Sequence, residues 1–274
     1  MTEIPRFDLD RRTLLCGAAL TSGAALLGGS LGASPVSAAT EPGTETGVQA
    51  APQLYWRGAW NARPPSGAIQ VLPHAPSYII VHHTATANST DYTLDHALNL
   101  SKSIQNHHMD SNGWIDTGQQ LTISRGGYLM EGRDHTPESI AAGRHVVGAH
   151  VANNNSTCIG IENEGTYMTQ GPPQALTDSL VGTLAWLCGA YGLNPSAVLG
   201  HRDFNATACP GDVLYAMLPE LRNRVAQTML AHDIPIAEAV AHGEDGPTYP
   251  PVPDDEPERE FHHGPARGPD DISR

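Results

Sequence analysis

Apolar residues along the middle of the chain change their spacing several times, and each change predicts an element. Tyr78-Ile79-Ile80-Val81 is an unbroken apolar, largely β-branched run between Pro76 and Thr84, the pattern of a buried strand. Leu94, Ala97, Leu98, Ser101, Ile104 and His108 then recur at three- and four-residue steps until Ser111-Asn112-Gly113, which predicts a helix and its stop. Leu121-Thr122-Ile123-Ser124 and Tyr128-Leu129-Met130 read as the arms of a hairpin turned by Arg125-Gly126-Gly127. Ile159-Gly160-Ile161-Glu162 is the next strand. Pro172-Pro173 opens a helix that sets Leu176, Leu180, Leu184, Leu187, Cys188 and Tyr191 on one face and ends at Gly192 and Asn194-Pro195. Val198-Leu199-Gly200 is a short strand leading into His201, and the amphipathic stretch from Val213 to Met229 is expected to break at Pro219. Strands interleaved with helices predict an α/β sheet with helices packed on its faces.

The ends of the chain carry no such pattern. Arg11-Arg12-Thr13-Leu14-Leu15, a weakly apolar Gly/Ala-rich stretch to Ala33, and Ser34-Pro35-Val36-Ser37-Ala38 read as a twin-arginine signal peptide over residues 1–38, with small residues at the cleavage site. A membrane anchor would need about 20 strongly apolar residues, and this stretch is diluted by Gly, Ser and Thr. Cys16 precedes the apolar stretch instead of ending it, which argues against a lipid-modified cysteine. Residues 39–53 are small and polar, a linker by composition. From 232 onward a tail is expected; its last part, from Gly243, is Pro-rich and holds nine Asp and Glu against Arg259, Arg267 and Arg274, a composition that predicts disorder. The domain is therefore placed at 54–231.

Charge and composition narrow the chemistry. A net charge of -14 excludes nucleic acid as the main partner, because a polyanion would be repelled. Lys102 is the only lysine, which leaves Schiff-base and phosphate-loop lysine mechanisms almost no candidate. Four cysteines, Cys16, Cys158, Cys188 and Cys209, are too few for a disulfide scaffold in a chain of 274 residues. Cys158 and Cys188 are left open between a disulfide and two buried thiols. The 14 histidines carry more information, since neutral imidazole is a common metal ligand and proton shuttle.

Three of those histidines stand at two strand ends. His82-His83 closes the Tyr78 to Val81 run, and His201 follows Val198-Leu199-Gly200, with Cys209-Pro210-Gly211 eight residues on in a Pro/Gly loop. Two His and one Cys form a borderline-soft donor set of the kind zinc prefers, and three protein ligands leave one tetrahedral position open, as in catalytic sites. The helical His-Glu-x-x-His signature of zinc proteases and the Gly-x-Ser-x-Gly nucleophile turn are both absent from residues 54–231. From spacing alone the rival reading is a set of scattered structural His and Cys residues.

Several blocks, in order, carry a resemblance. Trp60-Asn61-Ala62-Arg63-Pro64-Pro65, Ile80-Val81-His82-His83-Thr84, Gly132-Arg133, Gly148-Ala149-His150, Ile159 through Gly165, and Gly200-His201-Arg202-Asp203 through Cys209-Pro210-Gly211 run over residues 56–220. Together they resemble the peptidoglycan recognition protein / type 2 N-acetylmuramoyl-L-alanine amidase superfamily, as a bacterial, exported member. The resemblance implies a mixed central β-sheet flanked by helices, a zinc ion in a surface groove, and hydrolysis of the amide between the lactyl group of N-acetylmuramic acid and L-alanine. It implies His82, His201 and Cys209 as metal ligands, His83, His150 and Asn155 as residues lining the muropeptide groove, and Thr207 beside the scissile carbonyl.

One block departs from the recognition-protein branch. Where that branch carries Asp-Ile-Gly-Tyr-Asn on the strand after the first helix, this chain has Asp116-Thr117-Gly118-Gln119-Gln120, and a Gln cannot act as a base. The amidase branch implies a Glu in the Ile-Gly-Ile-Glu block, so the base is placed at Glu162, with Glu164 in reserve on the same strand face. The expected protein is an exported, monomeric zinc amidase with peptidoglycan or a muropeptide as substrate and no stable membrane insertion once its signal is removed. Two other readings are a recognition module that binds peptidoglycan without cutting it, which Gln119 favours, and an inert zinc-stabilised domain whose acidic tail recruits a partner.

Overall fold

The computed structural model describes residues 51–239; the expected signal peptide, most of the linker and the tail from 240 onward lie outside the described residues. The elements run β1 (Leu54–Tyr55), a 3-10 turn (Arg57–Trp60), β2 (Val71–Leu72), β3 (Tyr78–His83), α1 (Leu94–Asn106), β4 (Leu121–Ile123), β5 (Leu129–Glu131), α2 (Thr136–Ala141), β6 (His145–Val146), β7 (Cys158–Asn163), α3 (Gln174–Tyr191), β8 (Val198–Gly200), α4 (Asp212–Ala216) and α5 (Leu218–Ala231). Six strands form one sheet in the order β1-β5-β4-β7-β3-β8, and β2 pairs with β6 apart from it. β4, β7, β3 and β8 are mutually parallel, while β5 returns antiparallel to β4 through the expected hairpin. This is the expected mixed sheet flanked by helices.

The two faces of the sheet differ in kind because side chains alternate along a strand. Ile79, Val81, Ile159, Ile161, Leu121 and Ile123 point one way and form a single core cluster with α3 and α5, through residues such as Leu180, Leu184, Leu221 and Val225. The other set includes Ile80, which packs with Val151, Cys158 and Phe204. Toward β5 this second face is covered by α1, where Ala97 meets Met130 and Trp60. α1 starts at Thr93, whose side chain accepts the His96 N–H, and α3 ends at Gly192 in the left-handed conformation, φ 64°.

Two expectations need correction, and two others are met or resolved. The last amphipathic stretch breaks at Met217, not at Pro219, which instead lies in the first turn of α5, where a missing N–H costs nothing. Asp116 to Gln120 is a loop, and the strand begins at Leu121, as the apolar run predicts. Packing continues past 231: Ile234 is buried in the same core cluster as α3 and α5. Cys158 and Cys188 are free thiols in separate clusters on opposite faces of the sheet, and burial pushes each pKa up to about 12.

A polar knot fastens the segment before β2. The Arg57 guanidinium spans both oxygens of the fully buried Asp116 at 3.0 and 2.9 Å and donates to the Gly132 and Arg63 carbonyls. The Arg57 backbone N–H donates to Glu131 at 3.0 Å, and Trp60 Nε1 donates to the Glu131 carbonyl at 3.1 Å. Burial pushes the Glu131 carboxyl from 4.5 up to about 7, although Arg57 pulls the other way. The folded protein therefore holds this proton where the unfolded chain has released it, so stability falls as pH rises from about 4.5 to about 7. Glu131→Gln keeps an acceptor for Arg57 and removes the titration. Urea midpoints are expected to show it gaining roughly 1–3 kcal/mol on the wild type between pH 5 and pH 8; a pH-independent difference would contradict the assignment.

Candidate metal centre and active site

Strand register brings the site together. β3 lies beside β7 with His82 opposite Glu162, and β4 lies on the other side of β7 with Thr122 opposite Glu162. These three side chains form one row on the face away from α3 and α5, at the carboxyl ends of parallel strands, where open α/β sheets place their ligands. On the far side β8 pairs Gly200 with Val81, so His201, the first residue of the turn His201–Asp203, falls in step with His82. The two rings lie 4.6 Å apart between centroids. The loop that follows returns Cys209 to them, with Sγ 3.6 Å from His82 Nδ1. One ligand atom each from His82, His201 and Cys209 lies within 4.8 Å of the others.

All three side chains are buried. Burial lowers the His201 pKa to about 4, which keeps the ring neutral, the form that binds metals. His201 Nε2 faces Asn205 Oδ1 at 3.1 Å, whereas Nδ1 is buried and has no hydrogen-bond partner among the described residues. A buried lone pair left in that state is costly, and a cation placed among the three donors would accept it. Cys209 Sγ receives the His83 backbone N–H at 3.4 Å, an interaction that favours negative charge on sulfur. Glu162, 2% exposed, has its carboxyl raised well above the usual carboxylate range by burial.

Residues 72–212, which contain His82, Glu162, His201 and Cys209, match the family described as N-acetylmuramoyl-L-alanine amidase. The chain belongs to this family. A human protein named N-acetylmuramoyl-L-alanine amidase is 34% identical over 171 residues, 61% of this chain but only 28% of that protein. Peptidoglycan-recognition protein LB of Drosophila melanogaster is 29% identical over 165 residues, 60% of this chain and 66% of that one. The solved structure of the wild-type Drosophila protein LB superimposes with a TM-score of 0.52 at 27% identity, covering 60% of this chain and 91% of that one. A variant of protein LB, solved in complex with tracheal cytotoxin, gives the same score of 0.52 and the same 27% identity, over 60% of this chain and 92% of that one.

Within this family site the remaining residues take distinct places. His83 alternates to the helix-covered face, where its Nδ1 accepts the Tyr167 N–H at 3.3 Å, so its ring does not join His82. His150 is buried beneath His82 and engages both ring nitrogens, with His82 Nε2 at 3.0 Å and the Cys158 carbonyl at 3.0 Å. Asn155 Oδ1 accepts the backbone N–H groups of His150 and Val151 at 2.7 and 3.0 Å. The polar atoms named here of His83, His150 and Asn155, the residues expected to line a groove, engage protein partners. Thr207 is half-buried, and its Oγ1 accepts the Cys209 N–H at 3.2 Å, which braces the ligand loop.

Glu164 is committed elsewhere: its carboxylate meets His96 Nε2 at 2.5 Å and the Arg125 N–H at 2.7 Å. Gln119 is buried and donates to Thr122 Oγ1 at 2.9 Å, one strand away from Glu162. The sequence reading missed His96 and Asn205. Asn205 follows His201 by four residues within a turn, a spacing that carries a signal only once His201 is recognised as a ligand. The placement predicts a sharp contrast between the adjacent histidines. Cobalt(II) affinity, followed by the visible d–d absorption, is expected to fall by about 100-fold or more in Cys209→Ser and His82→Ala. It is expected to change by less than about threefold in His83→Ala, whose ring faces away; equal losses in all three variants would contradict the assignment.

Proposed function

We propose that this protein is an exported, zinc-dependent amidase that hydrolyses the lactyl-amide bond between N-acetylmuramic acid and L-alanine in peptidoglycan. The observation that carries the reading is the buried His82, His201 and Cys209 cluster with Glu162 in the same row. The donor set suits zinc. Bond lengths of about 2.3 Å to sulfur and about 2.0–2.1 Å to nitrogen at a tetrahedral angle give a ligand-to-ligand edge of about 3.6 Å, and His82 Nδ1 and Cys209 Sγ are 3.6 Å apart. Zinc held by these three residues supplies Lewis acidity toward a carbonyl and activation of water at neutral pH.

The chain's own groups do the rest. Burial alone keeps Glu162 protonated; next to a positive charge it reverts to the carboxylate. In that form it takes a proton from the attacking water and delivers it to the L-alanine nitrogen, which must be protonated to leave. Thr207 spends a lone pair on the Cys209 N–H and retains its hydroxyl proton to donate to the developing oxyanion. Export rests on Arg11-Arg12 and the small residues ending at Ala38. A route that carries a folded, metal-loaded chain protects the Cys209 thiolate from an oxidising exterior. A monomer is the proposed active form, and the three donors can be supplied by one chain.

Mass spectrometry of a purified muropeptide incubated with the zinc-loaded protein tests the reading. Release of free stem peptide by the wild type is expected, with the rate reduced about 10²- to 10⁴-fold in Glu162→Gln and abolished in His82→Ala. A muropeptide that the wild type binds but leaves intact would replace the amidase by a recognition module, with Gln119 in place of a catalytic group.

A further inference from the structure

We infer that His150 and Asn205 are positioning residues that hold the Nε2 protons of His82 and His201, so that both ligands present Nδ1 to the metal. The inference rests on the metal-dependent reading above and specifies how the ligands are set. It follows from tracing each proton along the hydrogen bonds.

The first chain of bonds begins at a carbonyl. The Cys158 oxygen has no proton, so His150 Nε2, 3.0 Å away, carries one and donates it. With its ring proton spent on that carbonyl, the buried His150 ring offers Nδ1 as an acceptor. His82 Nε2 lies 3.0 Å from that acceptor and must therefore be the N–H partner. What is left on His82 is the Nδ1 lone pair, the atom that faces Cys209 Sγ at 3.6 Å.

The second chain begins at Ala152. Its carbonyl accepts Asn205 Nδ2 at 3.4 Å, which orients the amide so that Oδ1 faces His201 Nε2 at 3.1 Å. That nitrogen is again the donor, and His201 Nδ1 is the orphaned buried atom. Both chains thus end on Nδ1 and run through one loop, between β6 and β7, which supplies His150 and the Ala152 carbonyl. Asn155 clamps this loop through the His150 and Val151 N–H groups. The ring of His150 has room only because position 160 lacks a side chain: a Cβ on Gly160 would stand 2.5 Å from His150 Nδ1. Gly160 is therefore part of the same device, and its φ is not what requires glycine.

Metal-ligating histidines anchored through their second nitrogen lose roughly 10- to 100-fold in metal affinity when the anchor is removed. Two measurements on the full chain test the inference. Long-range nitrogen–proton NMR of the metal-free wild type is expected to show His82 and His201 each as the single Nε2–H tautomer before any zinc is added; the Nδ1–H form at either would overturn the assignment for that ligand. Zinc affinity, measured by competition with a chromophoric chelator, is expected to fall about 10- to 100-fold in His150→Leu and in Asn205→Leu. It is expected to return to within about threefold of wild type in His150→Asn, whose amide oxygen replaces Nδ1 as acceptor. A His150→Leu protein that folds and binds zinc like the wild type would refute the positioning role, and a failure of His150→Asn to recover would reduce His150 to packing. A wild type with the expected tautomers and no zinc affinity would instead remove the metal-dependent reading.

Discussion

Moving β3 by one residue against β7 would turn every side chain on it to the opposite face, carrying His82 into the helix-covered core and bringing His83 out in its place. The in-register pairing of these two parallel strands is the constraint on which the site depends. It is held by the apolar alternation itself: Ile79 and Val81 on β3, and Ile159 and Ile161 on β7, all enter the same core cluster with α3 and α5. Any slip would expose that set and bury polar side chains in its place. Packing on one face thereby determines which chemistry appears on the other.

That second face carries unusually many buried polar groups, and most of them are satisfied by the loops above the sheet. Gln120 donates to the Val146 carbonyl and accepts the Gly160 N–H, Asn155 binds two backbone amides, and His150 joins a strand carbonyl to His82. A polar network of this density is stabilising only when its members are paired. At the metal cluster the His201 Nδ1 lone pair has no hydrogen-bond partner among the described residues. The Arg57 and Asp116 pair plays a comparable part at the other end of the sheet, tying the segment before β2 to the loop that leads into β4.

The parts of this arrangement that rest on local pattern were legible in the sequence. Tyr78 to Val81 and Ile159 to Glu162 were readable as strands because each is a short apolar run, and α3 was readable from one leucine face and its Gly192 stop. The candidate metal donors could be picked out as histidines at two strand ends and a cysteine in a Pro/Gly loop. Elements of two residues, β1, β2 and β6, carry too few positions for any period. The roles of His150 and Asn155 could not be read because their partners are decided by where a loop folds back over the sheet. His83 shows the limit most plainly: beside His82 it offers the same chemistry, and only the direction of one strand residue separates ligand from support. Pro219 was read as a break, when its position in the first turn makes it a starter.

X-ray absorption at the zinc edge, on protein purified from its native source without added metal, tests the central claim most directly. The account predicts one zinc per chain bound by two imidazole nitrogens, one sulfur and one further light atom. A shell of oxygens alone, a second sulfur, or no zinc at all would contradict it.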